Sequence, residues 1–267
     1  MNENSLLFEG YKVLVTAGAS GIGESIAKGF FQRGASVHVV DVDPEAIKQF
    51  QTNFPKDSVR CTTADVSNEQ LVKDVFASQV ENLGGIDVLI NCAGIKGPTG
   101  AVEDILLRDW QRCIEVNLQG TFLCSKYAVP HMKEQKSGSI INLSSTAGWH
   151  GYPLRSPYAS AKWAVIGFTK SLAMELGPFG VRANAICPGT VDGARMDQVI
   201  SDEASAKGLS EAQVREGYTK GVSLRTMIDA EDIAQTAMFL ASNAANKITG
   251  QYISVDGHLE NVGGLDI

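Results

Sequence analysis

The sequence predicts a doubly wound (Rossmann-type) α/β fold, a seven-stranded parallel sheet with helices on both faces. Three observations carry that prediction. Short β-branched apolar runs recur along the chain, helical patterns alternate with them, and a glycine-rich turn follows the first run. The runs at 12–15, 36–41, 59–62, 87–91, 139–143, 182–186 and 252–255 read as strands. The intervening patterns at 21–33, 44–52, 68–83, 107–133, 157–177 and 230–242 read as helices.

One stretch breaks the rhythm. Residues 194–222 are polar and helical with no strand signal, an insertion after a late strand. At the carboxyl edge of such a sheet this is where a small helical substrate lid belongs. The plainer reading is a surface helical hairpin that caps the fold. With no repeat or low-complexity linker, the whole chain, 1–267, is expected to be one dinucleotide-binding and catalytic domain.

Composition narrows the function. A chain of 267 residues, 44% hydrophobic, can bury a sizeable core unaided. Its 23 Lys and Arg against 30 Asp and Glu give a net charge of -7, which speaks against nucleic acid as a partner. No apolar run reaches the ~20 residues of a membrane span, so no membrane partner is expected. Cys61, Cys92, Cys113, Cys124 and Cys187 are scattered, without a CxxC pair or clustered histidines. Neither a disulfide framework nor a metal site is expected, and the cytoplasm is the natural compartment.

The first strand runs into Thr16-Ala17-Gly18-Ala19-Ser20-Gly21-Ile22-Gly23 and then a helix. Glycines at such a turn bring the backbone close to a pyrophosphate, and the helix N-terminus offers free amides to it. Gly18, Ser20, Gly21, Ile22 and Gly23 are the candidate cradle. The second strand ends at Asp41, whose carboxylate can accept both hydroxyls of an adenosine ribose and would repel a 2′-phosphate. The next residues are Val42-Asp43-Pro44, with no basic side chain, so NAD is expected rather than NADP.

These residues resemble the short-chain dehydrogenase/reductase family. Its glycine motif is TGxxxGxG, with Ala17 here in place of the first glycine, a substitution expected to be tolerated if the local φ is negative. Asp65-Val66 matches the family's adenine-contacting pair, and Asn91-Cys92-Ala93-Gly94 its NNAG motif, with Cys92 for the second Asn. Asn117, Ser145, Tyr158 and Lys162 match its catalytic tetrad, and Pro188-Gly189 with Thr190 and Val191 its loop after the sixth strand. The resemblance covers about residues 8–257. It implies cofactor contacts from Asp65, Val66, Asn91, Ala93, Gly94, Pro188, Gly189, Thr190 and Val191. It also implies a homotetramer built on the helices at 107–133 and 157–177 and on the last strand.

The chemistry follows from residue types. Tyr158 and Lys162 stand one helical turn apart on the same face. A phenol of ordinary pKa about 10 is a poor base at neutral pH, and a fixed ammonium nearby favours its phenolate. Tyr158 can then exchange a proton with a substrate hydroxyl. Ser145, just past a strand end, can polarise the reacting oxygen, with Ser144 as the competing choice. The family spacing to the tyrosine selects Ser145. Asn117 lies mid-helix, and the resemblance implies that it kinks the helix beside the lysine.

Arg155, three residues before Tyr158, and Arg195, at the entry to the 194–222 segment, are the candidate substrate-binding cations, with Ser145 and Tyr158. Guanidinium groups suit carboxylates. Either could instead pair with a nearby acid such as Asp192 or Asp197. Trp149, His150 and Trp163 are further cleft-side candidates. Met196, Val199 and Ile200 read as the apolar face of a lid helix. The residues after Gly257 are a candidate contact to a neighbouring subunit's active site.

The leading expectation is an NAD-dependent oxidoreductase acting on a secondary alcohol or ketone of a small polar, carboxylated molecule such as a deoxy-keto sugar acid. The alternatives are a 3-oxoacyl-carrier-protein reductase, a steroid or cyclic-alcohol dehydrogenase, and a non-catalytic dinucleotide-binding protein.

Overall fold

The computed structural model describes residues 7–259, apart from the side chains of residues 195, 202, 203 and 206. Seven parallel strands form one sheet: β1 (Lys12–Thr16), β2 (Ser36–Asp41), β3 (Arg60–Thr63), β4 (Val88–Asn91), β5 (Gly138–Leu143), β6 (Val181–Pro188) and β7 (Tyr252–Val255). Their spatial order is β3-β2-β1-β4-β5-β6-β7. The order reverses between β1 and β4, so a crevice opens at their carboxyl ends.

The strands are apolar on both faces because both are covered. Along β1, Val13 and Val15 face one core and Leu14 the other; along β5, Ile141 and Leu143 oppose Ile140 in the same way. The first core is closed by α1 (Gly21–Gln32), α2 (Pro44–Gln51) and α9 (Ala230–Ala241). The second is closed by α3 (Glu69–Leu83), α5 (Gly120–Gln135) and α6 (Ser156–Leu176).

The run 107–133, expected as one helix, is broken. It consists of α4 (Leu107–Ile114), a π-turn (Glu115–Gln119) and α5. The Asn117 side-chain amide donates to the Cys113 carbonyl at 2.9 Å, the i−4 acceptor that the helical backbone would otherwise use. A side chain that competes for that acceptor unwinds the ladder locally.

The 194–222 segment folds as α7 (Ala194–Lys207) and α8 (Glu211–Lys220). Ile200, Ala204, Val214 and Met227 form a small core of their own, with Met196 and Tyr218 packed against it. Val199 departs from the expected apolar face and is exposed, since only Met196 and Ile200 fall on the inner stripe. No helix among the described residues is long and apolar enough to cross a membrane.

Candidate active site

The carboxyl ends of β1, β2, β4, β5 and β6 converge on the crevice. At its floor, the Thr16 hydroxyl accepts the backbone amides of Cys92 and Ala93, both at 3.0 Å, locking the loop after β4 to the glycine turn. A Cβ on Gly23 would lie 2.1 Å from the Ala17 carbonyl oxygen, so the start of α1 packs directly on the turn and only glycine fits. Ala17 has φ 49°, in the left-handed region. The condition on which the alanine was expected to be tolerated, a negative φ, is not met: the turn needs the conformation that glycine adopts freely, and alanine takes it at a cost.

Asp41 is buried, and each carboxylate oxygen accepts one backbone amide, from Ala19 at 3.1 Å and from Asp43 at 3.1 Å. A carboxylate has about four lone-pair sites. Two therefore stay available for a pair of vicinal hydroxyls. Ser20 caps α1 without using its own side chain.

On the far side of the crevice, Ser144 and Ser145 separate cleanly. The Ser144 hydroxyl is buried and donates to the Lys162 carbonyl at 2.9 Å. Ser145 is only half-buried, at the N-cap of a 3-10 turn (Thr146–Gly148), where its hydroxyl accepts the Ala147 amide at 3.2 Å. Tyr158 lies in the first turn of α6. Lys162, 4% exposed, follows it on the same helix and donates to the Leu143 carbonyl at 2.8 Å, with Nζ 5.6 Å from the Tyr158 ring centre.

Asn117 reaches the same point from the π-turn. Its amide nitrogen serves the Ile95 and Cys113 carbonyls, while its buried Oδ1 has no protein partner. A Cβ on Gly94 would come 2.8 Å from that oxygen and 3.4 Å from Lys162 Nζ, so Gly94 stands bare between them. An orphaned buried acceptor is costly unless something outside the chain satisfies it. Together with the open lone pairs of Asp41 and the turn closed by Gly23, it fits a dinucleotide laid across the crevice.

Not every candidate side chain faces that crevice. Asn91 is buried, donating to Ser125 at 3.2 Å and Asn142 at 2.8 Å, so its side chain serves the core. Val66 is buried against Gly120. Gly189 packs on the Asp256 backbone, where a Cβ would sit 2.9 Å from Cα. Pro188 closes β6, and Thr190 and Val191 follow, each tied to Ile228. Cys92 and Cys187 stay thiols, because burial pushes them up to about 12 and about 11.

Arg155, just before α6, donates to the Lys96 carbonyl at 2.8 Å and lies over Tyr152 and Tyr158, its guanidinium carbon 5.3 Å from each ring centre. Its buried Nε has no partner. Neither Asp192 nor Asp197 pairs with it. Both are taken by Arg215 of α8, at 2.8 and 2.5 Å, a clasp the sequence reading missed because its partners are far apart in the chain. The Arg215 hydrogen bond holds the Asp192 carboxyl below its usual range. The Arg195 side chain lies outside the described residues, as do residues 260–267 of the tail. Of the aromatics, Trp163 is half exposed and donates to the His150 carbonyl at 3.3 Å, and His150 bonds the Leu259 carbonyl at 3.2 Å.

A parallel sheet with a serine, a tyrosine and a lysine gathered at its carboxyl edge defines an oxidoreductase built on the dinucleotide-binding fold. The family model described as Enoyl-(Acyl carrier protein) reductase matches residues 16–259. The D-beta-hydroxybutyrate dehydrogenase of Rhizobium meliloti is 33% identical, covering 91% of this chain and 96% of its own. A 3-oxoacyl-[acyl-carrier-protein] reductase of Thermotoga maritima is 34% identical over 94% and 98%. The solved structure of an NAD+-bound xylitol dehydrogenase superposes with a TM-score of 0.88 at 28% identity, over 94% of this chain and 99% of that one. The chain belongs to the short-chain dehydrogenase/reductase family and is an oxidoreductase of that family.

Proposed function

We propose that this protein is an NAD-dependent dehydrogenase that interconverts a secondary alcohol and a ketone on a small, polar, carboxylated substrate, a hydroxy acid or sugar acid. The observation that carries the substrate class is the Arg155 guanidinium, anchored on the Lys96 carbonyl and packed on the Tyr158 ring. A fixed cation beside the proton-exchanging phenol is matched by an anionic group on the substrate. That one curated relative is a D-beta-hydroxybutyrate dehydrogenase supports the same class.

In the direction of oxidation, Ser145 Oγ hydrogen-bonds the substrate oxygen and Tyr158 takes its proton. NAD held in the crevice would supply the acceptor for the hydride that leaves the carbinol carbon. Lys162 keeps a positive charge beside the phenolate and is held in place by the Leu143 carbonyl. Asn117 offers its unpartnered Oδ1 to whatever completes the proton path. Asp41 holds the adenosine ribose, the turn Gly18–Gly23 and the loops at Ala93–Gly94 and Pro188–Val191 receive the rest of the cofactor, and Asp65 and Val66 its adenine.

The chain works in this reading as one domain, 1–267, with α7 and α8 as a lid clasped to the β6 loop through Arg215. Arg195, at the lid's first turn, is a second anion-binding cation. Exposed apolar side chains on α4, α5 and α6, such as Leu107, Phe122 and Trp163, suit assembly into a homotetramer. Five free cysteines suit the cytoplasm.

A 3-oxoacyl-carrier-protein reductase is the second reading, favoured by the Thermotoga relative. Asp41 weighs against it where such an enzyme uses NADPH. The test is a screen of hydroxy acids, sugar acids, neutral secondary alcohols and 3-oxoacyl thioesters, each with NAD(H) and NADP(H). Faster NADH-linked turnover of acids supports the proposal, and a preference for NADPH with thioesters overturns it.

A further inference from the structure

The loop after β3 is bolted to the helix that carries Asn117. Arg112, on α4, donates to Asp65 Oδ2 at 2.7 Å and to Ser67 Oγ at 2.7 Å. The Gln119 amide, at the end of the π-turn, donates to the Ser67 carbonyl at 3.2 Å. The first residue of α5, Gly120, sits so close to Val66 that a Cβ would be 2.6 Å from its side chain. Three residues, one each on α4, the π-turn and α5, thus grip three successive residues of the loop through four contacts.

The grip also shapes what Asp65 can do. Its Oδ1 accepts both the Ser67 amide at 2.9 Å and the Ser67 hydroxyl at 2.7 Å, while Oδ2 accepts Arg112. Of about four lone-pair sites, three are used. One remains, on the oxygen that Arg112 orients, and Asp65 keeps 30% of its side chain accessible. A single open acceptor in a fixed direction suits a single N–H donor such as the exocyclic amine of a purine.

We infer that Arg112 is a positioning residue for the adenine end of the cofactor: it aims the last free lone pair of Asp65 and ties that loop to the π-turn bearing Asn117. The inference rests on the dinucleotide reading proposed above. Without Arg112, Asp65 is left to Ser67 alone and the helix break loses its outer brace. Arg112 touches no reacting atom, so its loss is felt first in adenine binding.

The test is AMP binding to the cofactor-free protein by calorimetry, with NADH binding followed by fluorescence, in wild type, Arg112→Ala, Arg112→Lys and Arg108→Ala. Arg108 lies on the same helix, pairs only loosely with Asp109 at 3.8 Å, and removes the same charge without touching the loop. Arg112→Ala should weaken AMP about tenfold, the loss of one charge-assisted contact's worth of order. Arg112→Lys should recover part of that, and Arg108→Ala should stay within about twofold. AMP affinity unchanged in Arg112→Ala overturns the inference, as does an equal loss in Arg108→Ala, which would reduce the effect to general charge. Circular dichroism and melting of each variant separate a folding defect: a well-folded Arg112→Lys with intermediate affinity still decides. A wild type that binds NADH but not AMP overturns the adenine assignment alone; one that binds neither overturns the dinucleotide reading with it.

Discussion

The Arg155 guanidinium lies 5.3 Å from the centre of the Tyr158 ring and is held there by the Lys96 carbonyl at 2.8 Å. A charge anchored through one nitrogen, over an aromatic face, is preorganised and loses little entropy on binding an anion. Arg155→Ala is therefore expected to lower kcat/KM for carboxylated substrates by about a hundredfold, with neutral secondary alcohols falling less than about fivefold. Steady-state kinetics on one matched pair, a hydroxy acid and its methyl ester, reads the difference. Equal losses on both would assign Arg155 to holding Tyr158 in place and remove the carboxylate.

Tyr158→Phe keeps the ring under Arg155 and beside Lys162 while deleting the hydroxyl. Turnover should fall by about a thousandfold or more, because proton exchange in the transition state is lost. NADH affinity, measured by fluorescence titration, should stay within about twofold. Activity near wild type would move the acid-base role to another side chain.

The strands were legible because β-branched runs buried on both faces stand out from the helical stretches, and each is displaced by no more than two residues at either end. Asn117, Ser145, Tyr158 and Lys162 could be singled out as tetrad candidates because their types and spacing resemble the family's pattern. What could not be read was the form of the kink that the resemblance implied at Asn117, a π-turn over Glu115–Gln119 in which the side-chain amide competes for the Cys113 carbonyl and no periodicity changes. Nor could the pairings of Arg112 with Asp65 or Arg215 with Asp192 be read, since each spans more than twenty residues and depends on how the loops meet. The choice between Ser144 and Ser145 rested on family spacing; the Ser144 bond to the Lys162 carbonyl supplies a physical reason.

Ala17 holds φ 49° at the head of the glycine turn. A left-handed alanine costs about 1–2 kcal/mol relative to its preferred regions, partly offset by the greater unfolded-state entropy of glycine. Ala17→Gly should stabilise the protein by about 0.5–1 kcal/mol, a rise in Tm of roughly 1–4 °C. Differential scanning fluorimetry of the cofactor-free protein measures it. A lower Tm would mean that the alanine methyl packs favourably enough to outweigh the strain.

His38 is buried in the middle of β2 and is used by no step of the proposed chemistry. Gln79 donates its amide to the Gly85 carbonyl at 3.0 Å, which turns its oxygen toward His38 Nδ1 at 2.9 Å. That nitrogen carries the proton, and Nε2 accepts the Thr62 hydroxyl at 2.8 Å, so the ring is satisfied as the neutral form. Burial pulls the imidazole down to about 4, partly opposed by the Gln79 hydrogen bond. The folded value lies below the unfolded 6.5, so the unfolded chain binds more protons between the two. The contribution of His38 is fully present above pH 6.5 and is lost as pH falls toward 4. At pH 5 the folded state should be about 2 kcal/mol less stable on this account than at pH 7.5. His38→Gln removes the titrating group but keeps polar contacts, so it should cost stability at pH 7.5 and narrow the gap to wild type by about that amount at pH 5. Urea denaturation of both proteins at the two pH values measures the gap; a gap that does not change with pH means that the ring is protonated in the folded protein or hydrated in it.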